Sequence, residues 1–478
     1  MLSKAQIKWF YICAIAFIGI LAVSFYFEFF FMALLPLIPV FFYLLFAHTD
    51  KVIYFLAFAA PLSIPIKDVG GGFGIILPTE PLIMMLFAGF LFKMVMGQGL
   101  NRNVLKSPIT VLVLLNMFWL YVTTATSTMP FISFKYSLSY TWYVFVFVFV
   151  LIHFFKNPKA MKIFLWCFSL GTLILVMYTL KKHGDEGFSR LYAYTASRPF
   201  IPDHGMYAAA ITFCIPVMFI IGVFGRRMKL NWFGVAMAMF VFTIVTLGVI
   251  FSFTRASWLS LVLAFGVFGL LFLRIQFKTL VTTGLVIIGL LLMFQNVILT
   301  ELSRNKQGST DDLQGHVESF SNVSTDPSNL ERLNRWSSVY RMFGERPIFG
   351  HGPGTYTFKY APYQISSEMT IISTNSGDLG NVHSEYLRPF AESGLLGGLF
   401  FFILVLVVIQ QGFYVYYHAK DVEIRILAMA VLLGLITYFA HAFLNNYSEF
   451  DKIAVPMWSM ISMIVAMRVY HMHRSSQV

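Results

Sequence analysis

The sequence predicts an all-α, polytopic integral membrane protein with about 12–14 transmembrane helices and one large extracytoplasmic loop. Hydrophobic residues make up 58% of the chain and charged residues only 12%, whereas a soluble domain carries roughly 25% charged residues. Most of the apolar residues lie in uncharged runs of about 20 residues, the length of helix that crosses a bilayer. These runs lack the alternating pattern of a membrane β-barrel strand. The composition therefore excludes a soluble enzyme, a disordered chain and a disulfide scaffold.

The apolar runs predict about fourteen spans. They lie near 8–27, 29–47, 52–66, 79–97, 108–126, 139–155, 161–180, 205–224, 231–251, 256–273, 278–298, 394–417, 424–444 and 453–470. The run at 52–66 is short and contains Pro61 and Pro65, so a re-entrant segment is an alternative there. Only Glu28 separates the first two runs, so a count of twelve or thirteen is also possible.

Lysine and arginine are concentrated at one alternating set of span ends. The set comprises Lys4, Lys8, Lys51, Lys93, Arg102, Lys106, Lys156, Lys159, Lys162, Arg226, Arg227, Lys229, Arg274, Lys278, Lys420, Arg425, Arg468 and Arg474. The positive-inside rule predicts that these ends, and with them both termini, are cytoplasmic. We therefore interpret the net charge of +12 as a topology signal and predict no nucleic-acid partner.

This orientation predicts three parts of the chain. N-terminal transmembrane helices occupy 1–298, a periplasmic loop domain occupies 299–393, and C-terminal transmembrane helices occupy 394–478. A loop of that length is uncommon unless it is functional or disordered. Its first part is polar and predicted to be mobile, and its second part has helical periodicity followed by turn glycines. Polar chemistry is therefore expected on the outer side.

Three arginines on that side are candidates for binding an anion. Arg255 lies at the outer junction of two apolar spans, where a guanidinium costs roughly 2.5–3.5 kcal/mol on insertion scales and usually has a partner or a task. Snorkelling to the outer head groups is the alternative. Arg332 and Arg335 are three residues apart and share a helix face. Two guanidiniums on one face can bind a diphosphate, although a solvated face beside Glu331 is the alternative.

A histidine is the candidate proton acceptor. His383 lies just before a helical stretch that enters an apolar span, and histidine is the side chain best matched to proton abstraction near neutral pH. Glu385 and Glu392 are near enough in sequence to orient it or balance its charge. A histidine that is simply hydrogen bonded at an interfacial helix start is the alternative.

Several further residues have a weaker case. The glycine-rich turn containing Gly350, Gly352 and Gly354 could bind phosphate through its amides, with His351 inside it, although a tight turn after a helix explains it as well. Arg198 and His204, in the shorter outer loop at 181–204, could line the same cavity. Asp311 and Asp312 form a poor candidate for a metal site, so no metal and no cofactor are predicted.

Three sequence blocks resemble the O-antigen ligase and polymerase superfamily of bacterial envelope enzymes. The blocks are FSFTRASWLSL, ERLNRWSSVYRMFGERPIFGHGPGTYTF and NVHSEYLRPFAESGLLGGLFF. They are similar to the family's arginine helix start, its Arg–x–x–x–Trp helix with Pro–x–x–Gly–x–Gly, and its His–Asn block, respectively. Ser384 departs from the pattern, since the family commonly has Asn after the histidine.

The resemblance implies a metal-independent membrane glycosyltransferase in the bacterial inner membrane, with its active site facing the periplasm. Such an enzyme moves a glycan from an undecaprenyl diphosphate carrier to a hydroxyl acceptor, inverting the anomeric carbon. By this resemblance Arg255, Arg332 and Arg335 bind the diphosphate and His383 is the general base. From the sequence itself, His351, Glu392, Arg198 and His204 are possible further site residues.

The sequence leaves more than one acceptor possible. The histidine block looks more like that of a ligase, whose acceptor is lipid A–core. A polymerase that uses carrier-linked repeats, or an enzyme that glycosylates protein hydroxyls, is the alternative. A lipid-linked glycan transporter is less favoured, because transporters carry polar residues near the membrane midplane and these spans are almost uncharged there.

Overall fold

The computed structural model describes residues 4–26, 43, 47–66, 74–97, 99–293, 327–370, 373 and 380–472. Nearly all of the regular structure in these ranges is helical. Nine helices among the described residues are long and apolar enough to cross a membrane. The predicted class, an all-α polytopic membrane protein, is therefore confirmed.

Eighteen helices, some broken or extended by other turns, follow one another in the described ranges. They are α1 (Lys4–Tyr26), α2 (Thr49–Ala59), α3 (Thr79–Val95), α4 (Arg102–Leu105), α5 (Pro108–Ala125), α6 (Pro130–Phe154, with a π-helical stretch at Phe145–Leu151), α7 (Pro158–Gly184), α8 (Arg190–Ala196), α9 (His204–Thr212), α10 (Cys214–Phe224), α11 (Trp232–Ile250), α12 (Arg255–Phe272), α13 (Phe277–Met293), α14 (Pro327–Glu345), α15 (Tyr356–Lys359), α16 (Arg388–His418), α17 (Val422–His441) and α18 (Asp451–Ala466, continued by a π-helical turn at Met467–His471). Two 3₁₀ turns lie at Ala60–Leu62 and Ala361–Tyr363. A two-stranded antiparallel hairpin pairs β1 (Ile64–Ile66) with β2 (Ile75–Leu77).

Several helices begin where the sequence supplies a capping residue. Asn157 accepts a hydrogen bond from the Lys159 amide and precedes Pro158 at the first position of α7. Asp203 caps α9, and Asp421 caps α17. A side-chain acceptor at the cap satisfies amides that the helix itself leaves unpaired, which fixes the start of each helix.

Three spans form the interior of the bundle. The segments His204–Phe224, Val422–His441 and Asp451–His471 are mostly buried inside the protein, whereas less than a third of α5, α11 and α12 is buried. Helix α17 packs against α10, α12, α16 and α18. The interior is therefore built around α17, and the end of this helix becomes important for the candidate site.

Two predicted spans differ from the structure. The span expected at 139–155 begins earlier, at Pro130, because proline is well suited to the first turn of a helix and the polar residues that follow remain helical. The run at 52–66 is not a span: α2 ends at Ala59, and the 3₁₀ turn that contains Pro61 leads into the hairpin. The predicted span at 29–47 and the polar part of the loop, with Asp311 and Asp312, lie almost wholly outside the described residues.

The second half of the long loop packs directly on the start of α16. Helix α14 contacts α16, and the turn after α14 is hydrogen bonded to it through the Leu395 amide and the Pro347 carbonyl, 2.8 Å apart. Gly394 permits this contact. Its φ of +68° breaks the helical path of α16, and a side chain there would overlap the Ile348 carbonyl.

Candidate active site

Four helix ends meet at one end of the bundle. Helices α9, α12 and α16 begin there, and α17 ends there. The Thr254 hydroxyl, before α12, lies 3.4 Å from the His204 carbonyl at the start of α9. Ser257 Oγ lies 3.3 Å from Nδ1 of His441, the last residue of α17. The Glu385 amide, just before α16, donates to the Ala442 carbonyl over 2.9 Å.

His383 is held at this junction by a loop with a constrained backbone. Its φ is +57°, a conformation that non-glycine residues adopt rarely. Its amide donates to Asn446 Oδ1 over 3.0 Å, and the Asn446 side chain in turn contacts Asn381. The imidazole is partly buried and hydrogen bonds the side chain of Asn445. The ring is thus fixed while part of it stays accessible.

Arg332 and Arg335, two of the three arginines of α14, lie beside this histidine. Arg332 donates from Nε to the Leu444 carbonyl over 3.3 Å. Arg335 is 4% exposed at its side chain and donates from Nε to Glu331 over 2.5 Å. Its guanidinium lies 4.1 Å from the centroid of the Tyr360 ring.

One nitrogen of Arg335 has no hydrogen-bond partner among the residues that the structure describes. Its buried Nη1 makes no hydrogen bond to any residue that the structure describes. A buried donor in this condition is costly unless something else accepts from it. The donor set therefore has capacity for an anionic oxygen, such as that of a phosphate.

The electrostatics of the site favour a neutral histidine. Burial and then the charges of Arg332 and Arg335 lower the pKa of His383 to about 4, against smaller opposing effects of Asn445 and Glu331. Burial alone would raise the pKa of Glu331, but hydrogen bonds from Ser373, Arg335 and Thr370 lower it below its usual value. At neutral pH the site thus contains a neutral imidazole, two guanidiniums and one carboxylate.

Arg255 opens α12 within the same junction. The turn from Phe251 to Thr254 is very short and places Phe253 at a φ of +53°, as the near absence of a loop in the sequence suggested. Arg255 is partly buried. It is flanked in sequence by Thr254 and Ser257, which contact His204 and His441. The backbone of Arg255 therefore lies next to the cluster around His383.

The glycine-rich turn serves the fold and is not free to bind phosphate. Gly350, Gly352 and Gly354 all have positive φ values. The amides of His351 and Gly352 donate to the Ala391 and Glu392 carbonyls over 2.9 and 2.8 Å. His351 is buried, with Nε2 lying 3.2 Å from the Met342 carbonyl. The turn uses its amides to hold the start of α16, so its interpretation as a tight structural turn is the correct one.

The two glutamates expected to assist His383 have other partners. Glu385 accepts from the Tyr438 hydroxyl over 2.9 Å and from the Ser448 amide over 2.6 Å. Glu392 accepts from the Tyr356 amide over 3.1 Å and pairs with Arg388. The expectation that either glutamate orients His383 is therefore wrong. Asn445 hydrogen bonds the imidazole instead.

Arg198 and His204, the two candidates of the shorter outer loop, lie in different surroundings. Arg198 is exposed, and its Nε donates to the Pro202 carbonyl over 3.2 Å. His204 lies at the junction, with Nδ1 3.1 Å from Asp203 Oδ1 and its ring 4.0 Å from the Tyr194 ring. Only His204 adjoins the cluster, and it does so through its carbonyl and its contact with Asp203.

Sequence reasoning missed several residues of the cluster. Asn445, Asn446 and His441 all lie at the end of α17, where polar residues are common and undiagnostic. Ser257 is one of many small residues in an apolar helix. The contact of Asn446 with His383 joins positions 63 residues apart, and that of Ser257 with His441 joins positions 184 residues apart. No local pattern could therefore have indicated them.

The described residues contain no group of three or more histidine, cysteine or acidic side chains arranged to hold a metal ion. The cationic groups of this cluster are arginines. The arrangement can therefore bind a diphosphate through guanidiniums and accept a proton at His383.

A protein-family model matches the part of the chain that contains Arg255, Arg332, Arg335 and His383. Residues 240–402, about a third of the chain, match the family model described as O-antigen ligase. A protein of Haemophilus influenzae described as uncharacterised is 24% identical over 201 residues, 42% of this chain and 48% of the relative. The chain thus spans about half the length of the curated relative that it matches.

Proposed function

We propose that this chain, which belongs to the O-antigen ligase and polymerase superfamily, moves a glycan from an undecaprenyl diphosphate carrier to a hydroxyl of lipid A–core. The reaction takes place at the periplasmic face of the bacterial inner membrane. The observation that carries the proposal is the imidazole of His383 beside the guanidiniums of Arg332 and Arg335, at a junction of helix ends.

The proposed chemistry is a single displacement. His383 takes the proton of the acceptor hydroxyl as its oxygen attacks the anomeric carbon of the glycan. The bond from that carbon to the diphosphate oxygen breaks, and the carrier leaves as an anion with the bonding electrons. Attack opposite to the leaving group inverts the anomeric carbon. A base in this position typically accelerates a reaction 10²–10⁴-fold.

The arginines have the electrostatic role. Charge accumulates on the diphosphate as the bond breaks, and preorganised cations stabilise that charge in the transition state. The unpartnered Nη1 of Arg335 supports this role, and so does the exposure of Arg332, which is greater than that of Arg335. We include Arg255 because its backbone adjoins the cluster and an outer helix end is where a carrier's diphosphate would lie.

The low pKa of His383 fits the proposal when the donor's charge is included. In the site without donor, two guanidiniums disfavour the imidazolium. A bound diphosphate would offset them and raise the pKa of His383. The base would therefore become stronger when the donor is in place.

A product assay tests the proposal. Purified protein in detergent is given a polyprenyl diphosphate that carries a labelled oligosaccharide, with lipid A–core, a second carrier-linked repeat or a serine-containing protein as acceptor. We expect label on lipid A–core, undiminished by EDTA, because arginines supply the cationic charge.

Each other product has a distinct meaning. Longer carrier-linked chains would make the protein a polymerase, and labelled protein would make it a protein glycosyltransferase. Loss of transfer in EDTA, restored by a divalent ion, would overturn the metal-independent mechanism. If no acceptor is labelled in this single compartment, the enzyme proposal fails and a transporter becomes the better hypothesis.

A further inference from the structure

Asp203 is connected to His383 through two intervening side chains. The Tyr447 hydroxyl lies 3.2 Å from Asp203 Oδ2 and also 3.2 Å from Asn445 Oδ1. Asn445 hydrogen bonds the ring of His383. Asp203, Tyr447 and Asn445 all lie outside the segment 240–402 that matches the O-antigen ligase family. They come from two separate parts of the chain, the start of α9 and the loop after α17.

The protons in this chain of contacts can be assigned by counting donors. Burial would raise the pKa of Asp203, but the adjacent His204 ring and hydrogen bonds from the Gly205 and Met206 amides lower it to about 2, so it is ionised. Burial and the charge of Asp203 raise the pKa of Tyr447 well above its usual value, so the hydroxyl keeps its proton. That single proton is donated mainly to the carboxylate, the stronger acceptor.

The amide of Asn445 is oriented by its other neighbour. Its Nδ2 lies 3.0 Å from His441 Nε2, so this ring nitrogen accepts, and His441 Nδ1 carries the proton towards Ser257. Asn445 Oδ1, which receives little of the Tyr447 proton, is left to accept from an N–H of His383. One tautomer of His383 is then favoured, with its proton towards Asn445 and the other ring nitrogen unprotonated.

We propose that Asp203, Tyr447 and Asn445 form a positioning relay that fixes the tautomer and orientation of His383 and stabilises its protonated form. Asn445 acts directly on the ring, whereas Asp203 acts through Tyr447 and Asn445. When the imidazole gains a proton, its bond to Asn445 becomes charge-assisted and stronger. The proposal rests on the proposed function in one respect, that His383 is the base.

Other charged or titratable groups also face His383. Arg332, Arg335 and Glu331 do so from α14. His441, at the end of α17, contacts Asn445. The arginines oppose protonation of His383, whereas Asn445 and Glu331 favour it. The relay thus partly counteracts the arginines without occupying the position of the donor.

Two substitutions should shift the titration of His383 in opposite directions. Asp203→Asn removes a charge but keeps an oxygen that can cap α9, so the pKa of His383 should fall. Asn445→Asp places a charge beside the ring, so the pKa should rise. Tyr447→Phe, which keeps the ring and removes the hydroxyl, should act like Asp203→Asn. We expect Asp203→Asn to lower kcat about tenfold, the lower end of what loss of a histidine's orienting partner costs at a metal site.

The measurement combines pH profiles of transfer with NMR of protein labelled with ¹⁵N-histidine, in which the His383 signals are identified by their loss in His383→Gln. Asp421→Asn is the matched control. Asp421 caps α17 in the same way, accepting from the Glu423 amide over 2.8 Å, but at the other end of that helix, about 30 Å away. It should change neither readout.

The two readouts separate the two proposals. Opposite shifts of the His383 titration, with the predicted tautomer, support the relay even if no product is found. If the protein is active, but Asp203→Asn, Tyr447→Phe and Asn445→Asp all keep the wild-type His383 titration and pH profile, the relay is overturned. The proposed function would still stand. Absence of transfer with opposite shifts would overturn the proposed function alone.

Discussion

The balance of charge around His383 decides how the proposed base behaves. Burial, and then two guanidiniums, lower the pKa of His383 well below its ordinary value, so the imidazole is neutral at neutral pH. A histidine with so low a pKa is available as an acceptor across the neutral range but is a weak base. Binding of an anionic donor is the event that would strengthen it. Arrival of the donor and activation of the base would thus be coupled through charge alone.

This coupling makes a prediction about pH at the residue scale. Transfer requires neutral His383, so activity should be lost as the pH falls through the pKa of that residue. For kcat/KM, which reports the free enzyme, the loss should centre near pH 4. Arg332→Gln removes one repelling charge, so the pKa should rise towards 6.5 and the acid limb should move to higher pH.

The matched control for this prediction lies on the same helix. Arg341 pairs with Glu368 and donates to the Tyr363 carbonyl, and it is not among the groups that act on His383. Arg341→Gln should leave the acid limb in place. An acid limb that does not move in Arg332→Gln would show that its charge does not set the titration of the base.

The residues of the candidate active site were partly predictable from the sequence. His383, Arg332 and Arg335 stand out because charged and titratable groups are rare in a chain that is only 12% charged. Asn445 and His441 do not stand out, because neither lies near His383 in sequence and amides are ordinary at helix ends. The expectation that Glu385 or Glu392 orients His383 was wrong, because proximity in sequence does not show which groups a buried carboxylate contacts.

At the scale of elements, the kink in α16 positions the loop that carries His383. Arg388 contacts Glu449 over 2.6 Å and the Tyr136 hydroxyl over 2.5 Å, which ties the start of α16 to α6 and to the loop before α18. The turn after α14 packs on the same segment. The first turns of α16 therefore hold together two segments, α14 with its arginines and the loop that carries His383.

Gly394 is the residue that permits this packing. Its backbone, with φ +68° and ψ −164°, lies in a region essentially restricted to glycine, where another residue costs about 1–3 kcal/mol. A Cβ would also overlap the Ile348 carbonyl. We expect Gly394→Ala to lower the apparent melting temperature in detergent and to reduce transfer.

Gly269 provides the control for that substitution. It lies within the regular helix α12, and a Cβ added there meets nothing within 4 Å. Gly269→Ala should be neutral or slightly stabilising, since alanine favours helix more than glycine does. If the two variants melt at the same temperature, the kink does not constrain the fold as the structure suggests.

Element boundaries followed from the sequence where proline or a capping residue marks them, as at Pro108 and Pro158. The short hairpin of Ile64–Ile66 and Ile75–Leu77 was not predicted. Its strands are only three residues long, so an alternating pattern cannot be distinguished from a continuous apolar run. The break of α16 was also hidden, because Gly394 lies in a sequence that otherwise reads as a helix.

At the scale of the whole molecule, the central question is which side of the membrane holds the cluster. The charge pattern predicts that the long loop faces the periplasm and that short basic loops face the cytoplasm. Within the described residues, the helix ends that carry the cluster are opposite to basic ends such as Arg425 and Arg274. Orientation and function are thus linked, since a carrier-linked donor would have to be accepted on the outer side.

Cysteine labelling of intact cells tests this orientation. In a variant without its native cysteines, Thr310→Cys should react with an impermeant maleimide from the periplasmic side, and Lys229→Cys should react only after lysis. The reverse pattern would place the cluster in the cytoplasm and contradict the proposed reaction.

The most direct test of the central claim compares purified His383→Ala with wild type for donor binding and for glycan transfer. His418→Ala, a histidine at the far end of α16, is the control and should behave as wild type. We predict that His383→Ala binds the carrier-linked donor within a few-fold of wild type and transfers glycan at least about 10²-fold more slowly. Transfer by His383→Ala within a few-fold of the wild-type rate would contradict the assignment of His383 as the base.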